Sequence, residues 1–353
     1  MKKAIYALCC AFVLLVLAEV LLQVRAHFRS GQSVFNAVSG ESTYQFNEAL
    51  GIKLLRPSSV ISGSKSTIET NSFGLRGPEI SKEKQPNEVR LAIVGGSTVM
   101  GAYTKKNSNT LSYRLEHHLQ EKFPDKKITV INGGVAGYTL DEQLLLMQKL
   151  LSQMDIDYYV LYSGFNDIKK YCRSRTAAEK ALAEKWTLPQ LTLPKWLLTV
   201  ELITKNTVML RNTPAGSADC IDPYSVDMSD YKDSLEKLIG WVADKGLPMV
   251  VMTNVRSFRQ DMPLDLQLQL SETARYYNEC FDLSGLHVIY DRHNELIQEV
   301  SNKYGLSCYN LMEQLPGGER YFGDATHFSV EGADVVAVFL SKILHPEIKR
   351  ILN

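Results

Sequence analysis

From Glu88 onward the chain alternates short apolar runs with stretches of helical spacing, a pattern that few architectures accept. Val89 to Val94 (VRLAIV) is largely apolar and closes on Gly95 and Gly96, as a buried parallel strand ending in a turn does. Lys127 to Ile131, Tyr158 to Tyr162 (YYVLY), Leu247 to Thr253 and Leu306 to Leu311 read as four further strands. Helical spacing runs over Leu111 to Lys122, over Leu140 to Gln153 behind Thr139 as N-cap, and over Asp230 to Lys245 before Gly246. It returns over Leu266 to Cys280, Asn294 to Lys303 and Ser329 to Leu344. Strands that alternate with helices predict an α/β fold, a parallel sheet covered on both faces. With 353 residues and 45% hydrophobic content, there is enough chain for a full core.

Three regions fall outside this frame. After Met1-Lys2-Lys3, Ala4 to Val24 is apolar but for Glu19 and Gln23, then Arg25, His27 and Arg29 follow. That length spans a bilayer as a helix, and no small-x-small cleavage site follows it, so residues 1–29 are expected to be an uncleaved membrane anchor. Residues 30–87 join the anchor to the domain at 88–353 and contain NSFGLRGPE, Asn71 to Glu79. That segment is expected to be a glycine turn on the sheet edge, with Arg76 as an alternative grip for an anionic substrate group. An insertion at about 169–228 carries Trp186 and Trp196 around TLPQLTLPK, as plain packing or as a lid that stacks on sugar rings. Acidic and basic residues both number 39, so no overall field draws the chain to nucleic acid. Cys172 and Cys220 both lie within this insertion and are the expected disulfide pair, with free thiols as the alternative; no Cys/His spacing suggests a metal.

Chemistry concentrates in four segments: GGSTVMG around Ser97, NGGVAGYT around Gly137, SGFND around Asn166, and DATHFS with Asp324 and His327. The first three follow strand ends, where open α/β sheets place their ligands. Ser97 sits in a glycine-flanked turn that projects its hydroxyl into a cleft. Gly96 and Gly101 mimic the spacing of a phosphate loop, but Ala102-Tyr103 stand where Lys-Ser/Thr is needed. Asp324 and His327, three residues apart, direct a carboxylate and a ring to one point. Gly137 and Asn166 offer an unobstructed backbone N–H and a side-chain amide to a developing oxyanion, with Gly133 and Gly134 as less favoured donors. His117 and His118 on a charged helix, and His293 beside Asp291-Arg292 in an expected loop, read as solvated.

In this order the four segments resemble the SGNH, or GDSL-like, serine esterases, over roughly Val89 to Leu344. The resemblance implies a three-layer flavodoxin-like sandwich with a central parallel sheet, carrying an N-terminal transmembrane helix here. It implies Ser97, His327 and Asp324 as nucleophile, base and orienting acid, the Ser97 and Gly137 N–H groups with Asn166 as oxyanion hole, and neither metal nor organic cofactor. One departure is that the family motif has Asp before the serine, where this chain has Gly96; that residue is no triad member, so the change bears on loop geometry. NSFGLRGPE is similar to a segment in a membrane-anchored subset, which implies a catalytic domain outside the cytoplasmic membrane, facing periplasm or exterior. The expected activity is removal of O-acetyl or other short acyl groups from a cell-surface or exported glycan. Transfer of the acyl group to a glycan, lysophospholipid or thioester cleavage, and glycan binding by a vestigial site stay open as alternatives.

Overall fold

The computed structural model describes residues 2–30, 33–39, 42–63, 65–172, 196–200, 202–203 and 220–352. A long helix α1 (Lys2–Ser30) is followed by α2 (Val34–Ser39) and two short antiparallel hairpins. These pair β1 (Tyr44–Asn47) with β2 (Ile52–Leu55) and β3 (Val60–Ser62) with β4 (Thr67–Glu69). Then come β5 (Glu88–Gly95), α3 (Ser97–Met100), α4 (Leu111–Lys122), β6 (Lys127–Gly134), α5 (Leu140–Lys149) and β7 (Tyr158–Tyr162). A helix α6 covers 165–172. The chain continues through α7 (Ser229–Asp244), β8 (Met249–Met252), α8 (Leu264–Leu270), α9 (Glu272–Tyr277), α10 (Leu283–Lys303), β9 (Ser307–Tyr309) and α11 (Val330–Leu352).

The five later strands form one parallel sheet in the order β6-β5-β7-β8-β9. This is the flavodoxin-like order, and it has one switch point: the chain leaves β5 for β6 on one side and crosses to β7 on the other. Alternate residues of β5 supply the two cores. Leu91 and Ile93 face Leu111, Leu115 and Leu119 of α4 and Val336, Leu340 and Leu344 of α11. Ala92 and Val94 face Leu146 of α5, Leu235 and Ile239 of α7 and Ile297 of α10. The period of two along a strand thus splits one apolar run between two helical layers. Thr139 caps α5 through a capping box with Glu142, as expected.

Two helical expectations shift. The run Leu266 to Cys280 divides into α8 and α9 at Ser271, whose hydroxyl donates back to the Leu268 carbonyl. The expected helix Asn294 to Lys303 is only the second half of α10, which begins at Leu283 behind an Asp282 cap. His293 is therefore not a solvated loop residue. It lies on the helix face shared by Leu286, Ile289, Tyr290 and Ile297, is fully buried, and its Nε2 meets Tyr171 Oη at 2.9 Å. His117 is exposed and His118 half-buried on α4.

The expected Cys172–Cys220 pairing is also overturned. Cys172, the last described residue of α6, is bonded to Cys280, with S–S 2.02 Å and Cα–Cα 5.3 Å. Cys280 reaches it because the turn after α9 packs beside α6 in a third apolar cluster with Phe258, Phe281 and Leu286. Cys220 is close in space, since the Ile221 N–H donates to the Cys280 carbonyl, but its sulfur is not in the bond.

Within α1, Ile5–Phe28 is long and apolar enough to cross a membrane. Glu19, the charge inside that run, accepts from the Leu198 and Thr199 N–H groups at 2.9 and 2.8 Å, and Gln23 donates to the Trp196 carbonyl at 2.7 Å. Trp196, whose indole is half exposed, therefore lies against α1. Trp186 and TLPQLTLPK up to Lys195 fall outside the described residues.

Candidate active site

Ser97 opens the single turn α3 directly after β5, and its first-turn amide has no intrahelical partner. Glycines let this turn sit on the strand ends. A Cβ on Gly95 would lie 2.3 Å from the Tyr162 carbonyl oxygen, and one on Gly134 would lie 2.1 Å from the Met100 nitrogen. Gly134, a less favoured oxyanion candidate, thus supports α3 by making room for it. Gly96, where the family motif has Asp, has its own neighbour: a Cβ there would approach Asn166 Nδ2 to 2.8 Å.

Asp324 and His327 occupy the loop before α11, closed by a bridge between Phe322 and Phe328 and by the Gly323 N–H donating to the His327 carbonyl at 2.8 Å. His327 Nδ1 lies 2.8 Å from both Asp324 oxygens, and His327 Nε2 lies 2.7 Å from Ser97 Oγ. Asp324 Oδ1 also accepts from the Thr326 and His327 N–H groups, each at 3.0 Å. Burial alone would raise the Asp324 pKa; the His327 bond and these two amides outweigh it and hold the carboxyl at about 2. An ionised Asp324 keeps the proton on Nδ1 and turns Nε2 into the acceptor that faces the serine hydroxyl.

Asn166 stands in the first turn of α6, just beyond β7, and its Nδ2 donates to the Tyr138 carbonyl at 2.9 Å. That bond ties it to the loop holding Gly137, whose φ of 84° suits glycine and whose missing Cβ would meet nothing within 4 Å. The sheet therefore delivers Ser97, Gly137 and Asn166 from the ends of β5, β6 and β7, around the switch point. Ser97, His327 and Asp324 are joined by direct hydrogen bonds.

Two contributors escape sequence reasoning. The Tyr103 ring stacks on His327, with centroids 5.1 Å apart and planes at 20°, and it rests on Gly323, where a Cβ would fall 2.1 Å from Tyr103 Cδ1. Lys65, from the turn between β3 and β4, lies 3.7 Å above the Tyr103 ring. Arg76 is buried, and its donors are taken by the Met100, Gly101, Thr104 and Thr67 carbonyls, Thr104 Oγ1 and Asn107 Oδ1. With every N–H matched internally, Arg76 grips the loop after Ser97 and has none left for a substrate anion. The only signal for it was the motif itself, and for Tyr103 there was none.

Beside Ser97 a cavity of ≈ 20 Å³ is bounded by Gly164, Asn166, Asn254, Tyr290 and Thr326. A serine hydroxyl hydrogen-bonded to an imidazole, with a side-chain amide nearby, is an arrangement that can attack a carbonyl group.

A model of the GDSL-like Lipase/Acylhydrolase family matches residues 91–339. No curated protein matches the chain. Among solved structures it is similar to LAE5, an α/β hydrolase enzyme from the metagenome of Lake Arreo, Spain, at 16% identity and TM-score 0.42, covering 72% of this chain and 94% of that one. It is similar to the lipase/acylhydrolase from Enterococcus faecalis, at 14% identity and TM-score 0.43 over 73% and 96% of the two chains. A third is a catalytic mutant of Axe2, an acetylxylan esterase from Geobacillus stearothermophilus, at 13% identity and TM-score 0.41 over 71% and 92%. With its parallel sheet complete and the family model matched over most of its length, the chain belongs to the GDSL-like lipase/acylhydrolase family and is an ester hydrolase.

Proposed function

We propose that this ester hydrolase acts through a serine acyl-enzyme, with Ser97 as nucleophile, His327 as general base and acid, and Asp324 as the group that orients the ring. The observation that carries this reading is the chain of short contacts, Asp324 to His327 Nδ1 at 2.8 Å and His327 Nε2 to Ser97 Oγ at 2.7 Å. His327 takes the Ser97 proton as Oγ attacks the ester carbonyl. The carbonyl oxygen becomes an oxyanion that accepts from the Ser97 and Gly137 N–H groups and from Asn166 Nδ2, whose second hydrogen is not used in the bond to the Tyr138 carbonyl. Collapse expels the alcohol, protonated by the imidazolium, and leaves Ser97 acylated. Water, deprotonated by His327, then releases the acid.

The favoured acyl group is acetyl or another short acyl group, which suits the narrow space beside Ser97. In this reading residues 1–29 are a single-pass anchor in the cytoplasmic membrane and 30–87 an extension. Residues 88–353 are the catalytic domain, with its insertion at about 169–228, and this domain faces the periplasm or exterior, where it meets acylated glycans. The apolar helix Ile5–Phe28 supports the anchor.

Full-length protein in detergent tests the mechanism. A fluorophosphonate probe should label it, it should hydrolyse p-nitrophenyl acetate, and Ser97→Ala should lose labelling and at least about 10⁴-fold in kcat. Undiminished turnover in Ser97→Ala would remove Ser97 from the chemistry.

A further inference from the structure

We infer that the insertion after α6 makes a second contact with the membrane: residues 196–200 and 202–203, clamped to α1 by Glu19 and Gln23, present Trp196, Leu202 and Ile203 to lipid in the half of the bilayer nearer the catalytic domain. The inference rests on the reading of residues 1–29 as a membrane anchor and adds a second segment to what the lipid touches. Glu19 and Gln23 interrupt the apolar run Ala4 to Val24. A polar side chain inside a membrane helix is costly unless a partner meets it, and both of these meet the same short stretch of the insertion. The Glu19 carboxylate accepts from the Leu198 N–H at 2.9 Å and from the Thr199 N–H and Oγ1, each at 2.8 Å. Gln23 Nε2 donates to the Trp196 carbonyl at 2.7 Å and to Glu19 Oε1 at 2.6 Å, while Gln23 Oε1 accepts from the Val34 N–H at 2.8 Å.

Depth follows from the helix rise. Gln23 is next to Val24, where the apolar run ends, so the Trp196 carbonyl that it holds lies at the edge of the lipid. Glu19 stands five residues inside Val24, roughly 7–8 Å along the axis, and the apolar slab of a bilayer is about 30 Å thick. From Trp196 to Thr199 the chain therefore descends into that slab. Residues 198–200 and 202–203 are helical, and the first N–H groups of a helix have no partner within it. No water reaches such groups inside the lipid, and the Glu19 carboxylate satisfies two of them.

The side chains of the segment match these surroundings. Its sequence, WLLTVELI from Trp196 to Ile203, carries Glu201 as its one charge. Trp196, Leu202 and Ile203 are 53%, 44% and 60% exposed, although the segment is bonded to α1. Leu14, Leu17 and Leu21 of α1 are exposed in the same way, and the lipid that covers them is continuous with the place where the segment rests. An indole suits the position of Trp196, because its ring is apolar and its N–H is polar, which favours the boundary between acyl chains and headgroups.

Tryptophan fluorescence tests the contact in the full-length protein. Trp186→Phe with Trp241→Phe leaves Trp196 as the one tryptophan, and the variant is checked for native circular dichroism and reconstituted in phosphatidylcholine vesicles. The emission of the wild type minus that of Trp196→Phe gives the same reading with Trp186 and Trp241 in place. Bromine on the acyl chains near the headgroup should lower Trp196 emission at least about twofold, and bromine near the chain ends should lower it less. Glu19→Leu with Gln23→Leu leaves the anchor apolar but removes the clamp, and should weaken the quenching at least about twofold. Emission that neither lipid quenches, from protein that alkaline carbonate leaves in the vesicles, would overturn the contact; a red-shifted spectrum would then put water over Trp196, and a blue-shifted one protein. Quenching that stays undiminished without the clamp would overturn it as well. Release of the wild type by alkaline carbonate would instead overturn the anchor reading and this inference with it.

Discussion

Asp167 directly follows Asn166 and is almost completely buried, with Lys170 Nζ 3.1 Å from its Oδ1. Burial raises its pKa to about 6 against the opposing pull of Lys170. A carboxyl raised in this way favours the neutral form in the folded chain. Its stabilising effect is therefore complete below the ordinary carboxyl range near pH 4 and is lost as pH rises through about 6. The cost of ionising it there is on the order of 3 kcal/mol. Asp167→Asn should remove this dependence: the melting temperature of the variant minus that of the wild type should be larger at pH 7 than at pH 4.5. Thermal melts at the two pH values decide it, and a difference that does not change with pH would refute the burial argument. The residues of the site differed in how far they could be read from sequence. Ser97, Asn166, Asp324 and His327 sit in short segments whose local order carries chemical meaning. Asn254, Tyr290 and Thr326 are ordinary residues, brought to one cavity only when β8, α10 and the His327 loop pack together.

Elements in this chain were legible where burial on both faces forces a continuous apolar run, as in β5 and β7, and obscure where tertiary contacts decide. The first half of α10 reads LSGLHVIYDRH, whose polar and β-branched residues resemble a loop until the buried side of the helix supplies Leu286, Ile289, Tyr290 and His293. The β1–β2 and β3–β4 hairpins have three or four residues per strand, too few to show a period. Yet these hairpins matter to the site, because Arg76 behind β4 fastens them to the loop after α3. Its planar fork meets carbonyls from several directions, which a lysine ammonium cannot do. Arg76→Lys should keep the charge but leave buried carbonyls unpaired, which costs about 2–4 kcal/mol in denaturant unfolding. It should also lower kcat by about tenfold with little change in KM, as loosening of the Ser97 turn would. A variant as stable and as fast as the wild type would reduce Arg76 to filling space in the interior.

At the scale of the whole molecule the sequence led directly to the α/β sandwich, because strand ends, glycine turns and chemical segments coincide at one edge of the sheet. It misled on the covalent link, since closeness along the chain pointed to Cys220, whereas folding carries Cys280 to Cys172 on α6. Peptide mapping without reductant should recover Cys172 joined to Cys280, and Cys280→Ser should destabilise the protein by about 2–5 kcal/mol. Recovery of both as free thiols from the oxidised protein would contradict the structure. The bond spans 108 positions of sequence, and Ser97 lies before this closed stretch while His327 lies after it. A protease that makes one cut anywhere between Cys172 and Cys280 therefore yields two polypeptides that stay in one covalent molecule, with Ser97 and His327 on separate pieces, and only a reducing agent lets them part.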